Sequence, residues 1–392
     1  MYAAAGGSTA LNRAQKGMIP VANVLLFSNA PFCKSGYGTQ ANQLVRSLTA
    51  LGHECAVAAF HGLQGIPLRH EGILIYPGSG EDPWALDVLP GHYRHFKADL
   101  LITLMDAWVL DPGVLRGMNV AHWMPIDCAP VSVLDRRVLD GGGARPIAMA
   151  RHGEQMLRDA GFDPLYAPHA LDTGLWQPPP DRDAVRREMG LDGRFVVGIN
   201  AANQDPFRKG LAEQITAFAR FAARHDDAVL LLHTRRQTRQ GIDVDALISS
   251  LGIAGRVRGH DQYLIASGMI PDGPMVNWHA ACDVVSNTAF GEGFGLAILQ
   301  AQATGTPVVV TDCSSMSELC GAGWKVTGEP FYNKAHQAWW THPSAAQIEK
   351  AYEKAYAGAA RLRKKARAFA LAYDSMRVAK ECWAPIITEL TS

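Results

Sequence analysis

The run Gly291-Glu292-Gly293-Phe294-Gly295-Leu296-Ala297-Ile298-Leu299-Gln300 decides how this chain is read, together with its continuation Ala301-Gln302-Ala303-Thr304-Gly305-Thr306-Pro307-Val308-Val309-Val310. Glycines at alternate positions let backbone amides approach a ligand closely. The apolar residues that follow predict a helix starting near Leu296, and the positive end of such a helix faces the same spot. Gly305 ends that helix and Pro307 opens a strand, Pro307–Thr311. Glu292, just before the turn, is placed to accept hydrogen bonds from sugar hydroxyls. Gln300, one to two turns into the helix, is placed to reach a ribose.

Outward from this run, apolar strands alternate with amphipathic helices, the pattern of parallel α/β sheets. Val21–Phe27, Glu54–Phe60, Ile73–Tyr76, Asp99–Leu104, Val120–Met124 and Pro146–Ala150 read as strands of a first half. Helices are expected over Thr39–Leu51, stopped by Gly52, and over Arg151–Ala160, closed by Gly161. The stretch Trp176-Gln177-Pro178-Pro179-Pro180 fits neither a helix interior nor a central strand, and reads as a linker. The alternation then restarts with strand Phe195–Ile199, helix Lys209–Arg224, strand Ala228–His233, helix Val244–Leu251 and strand Val284–Ser286. Ser344–Leu390 reads as helical. The expected division is a flexible extension over 1–18, a first Rossmann-like domain over 19–175, a second over 176–373, and a returning helix over 374–392.

Composition narrows the function classes. The 392 residues are 48% hydrophobic, with 37 basic and 37 acidic side chains, which excludes a disordered chain or a polyanion-binding tail. No run approaches the roughly 18 apolar residues of a membrane helix. The N-terminal residues lack the continuous apolar region of a signal peptide. Seven scattered cysteines, with no C-x-x-C pair, fit a reducing cytoplasm, and neither they nor any Asp-x-Asp pair predicts a metal site.

A second group of polar residues, Asn200-Ala201-Ala202-Asn203-Gln204-Asp205-Pro206-Phe207-Arg208-Lys209-Gly210, follows strand Phe195–Ile199 and opens the next helix. Positive side chains oppose the helix dipole there, so Arg208 and Lys209 are better explained as partners for a diphosphate, with Asn203 beside them as a donor contact. In the first half, Ser35-Gly36-Tyr37-Gly38-Thr39 makes a glycine-rich turn between a strand and its helix. Ala121-His122-Trp123-Met124-Pro125-Ile126-Asp127 carries His122 and Asp127 toward a strand end, where ligands of α/β sheets collect. Either is a candidate for assisting proton removal from a hydroxyl. Asp106 ranks below them, and Trp108 and Trp123 are candidate platform residues. Arg235, Arg236 and Arg239 border the same region of the second half.

The run Glu292–Val310, with Arg208-Lys209-Gly210, resembles the signature of the group 1 (family 4) retaining glycosyltransferases. That resemblance covers the chain from about Val21 onward. It implies the GT-B architecture, two Rossmann-like domains facing across a cleft, with a C-terminal helix crossing back to the N-terminal domain. It implies transfer of a hexosyl group, by default glucose from UDP-glucose with GDP-mannose open, to an acceptor hydroxyl with retained configuration. No bound metal or cofactor is implied. Gly293, Phe294, Gly295 and Leu296 then bind the donor with Glu292. Arg208 and Lys209 stabilise the departing diphosphate. Gly36, Tyr37 and Gly38 match the loop that closes over donor phosphates or acceptor. The family commonly places a His near the reacting carbon, which points to His122, whereas a Trp-x-Pro-x-Asp pattern in some branches points to Asp127. Family members usually carry glutamates at both ends of the run, eight apart, but the second position here is Gln300. The amide keeps an acceptor and loses the charge, so a weakened protein that binds nucleotide sugars without turning them over is the alternative. The acceptor stays open among glycan, lipid, small molecule, protein and a hydroxymethylated DNA base, the last because similar enzymes occur in phage genomes.

Overall fold

A computed structural model describes residues 21–392. The expected extension over 1–18 lies outside the described residues. The first half builds an eight-stranded sheet from β1 (Asn23–Asn29), β2 (Glu54–His61), β3 (Leu68–His70), β4 (Ile73–Tyr76), β5 (Leu100–Leu104), β6 (Val120–Met124), β7 (Ala144–Ala148) and β8 (Leu165–Tyr166), in the order β3-β4-β2-β1-β5-β6-β7-β8. The second half builds a six-stranded sheet from β9 (Phe195–Asn200), β10 (Ala228–His233), β11 (Val257–Gly259), β12 (Val284–Asn287), β13 (Val308–Thr311) and β14 (Gly323–Val326), in the order β11-β10-β9-β12-β13-β14. All neighbours pair in parallel except β3 with β4. This doubly wound arrangement gathers the carboxyl ends of each sheet along one edge, where side chains of several strands can meet.

The strands are apolar on both faces because helices cover both faces. On β1, Leu25 and Phe27 face one core with Leu101 and Met124, and Val24 and Leu26 face another with Ile102 and Trp123. That second core continues into the other half through Phe294, Ile298, Leu299 and Val308, so one apolar body spans both sheets. The chain's end returns to the first sheet. Trp383 packs edge-on against Trp123 with ring centroids 4.8 Å apart, and Asn119 Nδ2 donates to Leu390 O at 2.6 Å. This architecture is the GT-B fold.

Several boundaries differ from the expectation. The first helix spans Gly36–Ala50, so Gly36, Tyr37 and Gly38 form its first turn rather than a loop before it. Ser35 caps it by accepting from Gly38 N at 3.0 Å, and a Cβ on Gly38 would stand 2.3 Å from Cys33 O, which is why a glycine closes this turn. The helix expected from Lys209 begins at Leu211, leaving Arg208 and Lys209 in the turn ahead of it. The tail is not one helix. Ala345–Ala370 is followed by a short 3₁₀ turn, then Ser375–Val378, a π-helical turn over Ala379–Trp383, and Ala384–Thr391. An antiparallel hairpin, β15 (Gly328–Asn333) with β16 (Ala338–Pro343), was not foreseen. Its strands alternate aromatic residues on both faces, which gives no amphipathic period to read.

Candidate active site

The two sheets meet where their carboxyl ends converge, and the approach is close. A Cβ added to Gly293 would lie 2.2 Å from Pro125 Cβ, and one added to Gly291 would lie 2.1 Å from Asp127 O. Glycine at these two positions therefore permits contact with the segment after β6 as well as turn geometry. The hairpin reinforces the closure. Ala129 N donates to Trp339 O at 3.0 Å, Trp339 N donates to Ala129 O at 2.8 Å, and Val133 N donates to His336 O at 3.2 Å. At the other end of the cleft, Lys34 Nζ meets Asp272 Oδ1 at 2.8 Å.

Between these contacts lies a shared charge cluster. Glu292, 6% exposed, takes Lys209 Nζ on Oε1 at 2.5 Å and faces Arg208 Nη1 from Oε2 at 3.6 Å. Arg208 Nη1 also lies 3.8 Å from Asp127 Oδ2, and the Trp340 indole N–H donates to Asp127 Oδ1 at 3.2 Å. The Tyr37 hydroxyl and the Asp106 carboxyl influence each other electrostatically, and Asp106 also feels Arg208 and Asp127. Tyr37 follows β1, Asp106 β5 and Asp127 β6, whereas Arg208 and Lys209 follow β9 and Glu292 follows β12. Adjacent positions in each sheet order bring them together.

The electrostatics are those of two cations divided among three carboxylates. Burial opposes ionisation of Glu292, but Lys209 and Arg208 outweigh it and hold its carboxyl below the ordinary range. Burial, then the neighbouring Arg208 charge, pulls the Lys209 ammonium below its usual value despite Glu292. Burial, then the charge of Asp127, pushes Asp106 up against the pull of Arg208. Burial and the charge of Asp106 push Tyr37 well up, so it stays a neutral donor. Such a centre can exchange its internal partners for an incoming anion at Lys209 and Arg208. Two helices begin beside it. The one at Leu296–Ala303 is entered through Gly295 at φ 98°, a left-handed conformation that favours glycine. Ser314 and Ser315 brace the turn: Ser314 Oγ accepts from Glu292 N at 3.1 Å, and Ser315 Oγ donates to Glu292 O at 2.8 Å and to Phe294 O at 2.6 Å.

The structure brings together Tyr37, Asp127, Arg208, Lys209 and Glu292, with Gly36, Gly38, Gly293 and Gly295 forming the turns around them. Phe294 is buried against His169, and Leu296, Ala297 and Gln300 are half-buried along their helix. His122 stands apart. It is 2% exposed within β6, and its Nδ1 pairs with Thr103 Oγ1 at 2.8 Å on the neighbouring strand. Burial lowers its ring to a pKa of about 4. Asn203 also departs from the expectation. Its amide donates to Arg235 O and Ile242 O and accepts from Ile242 N, so it binds the 235–242 loop rather than an open face. Arg235 donates to Ala266 O, and Arg236 pairs with Asp245, so both serve the same loop. Trp123 is core, its indole donating to Ala167 O, whereas Trp108 is 44% exposed. Sequence reasoning ranked Asp106 below His122 and Asp127, and missed Trp340, Ser314 and Ser315, for which no local signal exists. Among the described residues, no group of three or more His, Cys, Asp or Glu side chains is placed to hold a metal ion.

Residues 195–339, which contain β9, β12, Arg208, Lys209 and Glu292, match the family described as Glycosyl transferases group 1. Over this segment the chain is similar to the group 1 glycosyltransferases. A D-inositol 3-phosphate glycosyltransferase of Rhodococcus jostii is 33% identical over 174 residues, covering 42% of this chain and 36% of that protein. The chain spans less than half the length of the curated relatives it matches. Among solved structures, sucrose-phosphate synthase from Thermosynechococcus elongatus superposes with a TM-score of 0.74 at 16% identity, covering 94% of this chain and 99% of that one. Anabaena HepE in complex with UDP-glucose superposes with a TM-score of 0.69 at 17% identity, covering 94% and 100%. These two likenesses concern the fold. Among the described residues, no helix is long and apolar enough to cross a membrane.

Proposed function

We propose that this chain is a glycosyltransferase that moves a hexosyl group from a nucleotide diphosphate sugar to an acceptor hydroxyl, with retention of configuration. The observation that carries the reading is the cluster of half-buried Lys209 and Arg208 on the buried Glu292, where the strand ends of both halves converge. The donor diphosphate takes Lys209 and Arg208, releasing Glu292 to the hydroxyls of the transferred sugar. As the C1–phosphate bond breaks, the two cations and the helix start at Leu296 accept the departing charge. Asp127, rather than His122, is the carboxylate at hand for the acceptor hydroxyl proton, because it lies within the cluster. UDP-glucose is the first donor to test, consistent with HepE having been solved with that molecule.

Incubation of the purified chain with radiolabelled UDP-glucose and GDP-mannose, over a panel of hydroxylated acceptors, tests this. Saturable donor binding with transfer or slow hydrolysis of the sugar is expected. Binding with neither would favour the weakened-binder reading, which rests on Gln300. In that case Gln300→Glu should restore turnover.

A further inference from the structure

The carboxyl edge of the first sheet carries a feature that donor chemistry does not use. After β4, the loop 78–90 raises Trp84, and after β5, the segment 105–113 raises Trp108. The two indoles are 36% and 44% exposed and meet edge-to-face, with centroids 6.1 Å apart. They are anchored from behind: Trp84 packs on Phe60 at 5.7 Å, and Phe60 on the buried Phe27 at 5.7 Å. The loop carrying Trp84 is fixed by Asp82, whose carboxylate accepts from Trp84 N at 2.9 Å and from Leu86 N at 2.8 Å. Two exposed tryptophans on a rigid footing, one of them (Trp108) two residues from Asp106 in sequence, form a prepared surface at this sheet edge.

The two loops that carry the indoles contribute charges of one sign. Loops 78–90 and 105–113 carry Glu81, Asp82, Asp87, Asp106 and Asp111, and no lysine or arginine. Asp106 feels the charges of Arg208 and His336 from a distance, and Arg208 is already divided between Glu292 and Asp127. An acceptor carrying phosphate groups, or a nucleic-acid strand, would set its charges against these carboxylates. A pyranose or cyclitol ring has an apolar C–H face that suits an indole and a rim of hydroxyls that suits a carboxylate. Asp106 beside Tyr37 offers carboxylate acceptor sites to such hydroxyls.

On the glycosyltransferase reading above, we infer that the acceptor is an uncharged polyol ring, a neutral sugar or cyclitol, seated on Trp84 and Trp108 with a hydroxyl on Asp106. The ring's C–H face lies on the indoles, and its reacting hydroxyl points past Asp106 toward Glu292.

Ligand-observed NMR titration of the full chain loaded with UDP separates the possibilities. The probes are methyl α-D-glucopyranoside, methyl α-D-mannopyranoside and myo-inositol, then glucose 6-phosphate, mannose 6-phosphate and a single-stranded oligonucleotide. At least one neutral ring should bind saturably, and at least tenfold more tightly than the phosphorylated probes. Trp108→Ala and Trp84→Ala should each weaken that binding at least tenfold while leaving UDP-glucose affinity within twofold. Tighter binding of a phosphorylated probe or the oligonucleotide would overturn the inference, as would unchanged affinity in both variants. Failure of the unaltered chain to bind either UDP-glucose or GDP-mannose sinks the preceding proposal. Binding of UDP-glucose with no neutral ring bound sinks only this one.

Discussion

At the ends of β9 and β12 the second half presents Arg208, Lys209 and Glu292 among glycine turns, while at the ends of β1, β5 and β6 the first half presents Tyr37, Asp106 and Asp127 beside exposed indoles. Both halves use the same parallel-sheet geometry, so architecture does not account for the difference. A diphosphate makes the same demand in every protein: backbone approach and positive charge at helix starts. That demand writes a readable pattern, and residues 195–339 are the part that matches a family. On the proposed function the first half must fit one particular acceptor, so its side chains follow that acceptor rather than a shared pattern.

The largest effects are expected in the second half. Lys209→Ala and Glu292→Ala should each lower the transfer rate by roughly 10²–10³-fold, the scale of losing one preorganised charge contact in a dry site. Initial rates with radiolabelled donor measure this, with thermal unfolding as the check on folding. Near-normal rates in both variants would mean that the anionic site lies elsewhere. Next comes the seam between the halves. Gly293→Ala puts a methyl group into Pro125 and should hold the halves apart, costing on the order of 10- to 100-fold in rate through misplaced reactants. Small-angle scattering should show a more open particle. Closure and rate both at the parent level would show that the seam yields freely.

The same contrast explains what could be read in advance. Glu292, Arg208 and Lys209 were legible because glycines and a capping position fix their context within a few residues. Asp106 and Asp127 meet only because β5 lies between β1 and β6, and sheet order is not written locally. His122 was misread for a related reason. A polar residue in an apolar strand looks functional until its partner, Thr103 on the adjacent strand, is known. Asn203 was misread because a polar residue after a strand looks free, and the loop that consumes its amide begins more than 30 residues later. The hairpin β15–β16 escaped notice because Phe331 and Trp340 face the cleft cluster while Tyr332 and Trp339 stand outside, so both faces are apolar.

A smaller effect sits where the halves share a core. His169, 4% exposed, lies between Trp123 of the first half and Phe294 of the second, with neither ring nitrogen hydrogen bonded. Burial lowers its pKa to about 3, so the folded chain holds it neutral. Its contribution is therefore present above the unfolded value of about 6.5 and is lost as pH falls toward 3. Between pH 7 and pH 5 that loss is about 2 kcal/mol. Denaturant titrations of the parent and His169→Gln at both pH values should show their stability difference shift by this amount in favour of the variant at the lower pH. A constant difference would mean that the ring gains a proton without leaving the core.

The smallest effect is expected at the tail, where the two halves are joined by unequal contacts. Arg145 and Glu389 lie 3.4 Å apart, but their side chains are 34% and 51% exposed. Water screens such a pair, and holding two long side chains in one geometry costs entropy, so Glu389→Ala should change stability by less than about 0.5 kcal/mol. Trp383 is 2% exposed and stacks edge-on against Trp123, so its burial, not the ion pair, ties the returning helix to the first sheet. Chemical denaturation of Glu389→Ala in low and high salt checks this. A loss above 1 kcal/mol that vanished in salt would reassign the latch from the indole to the charges.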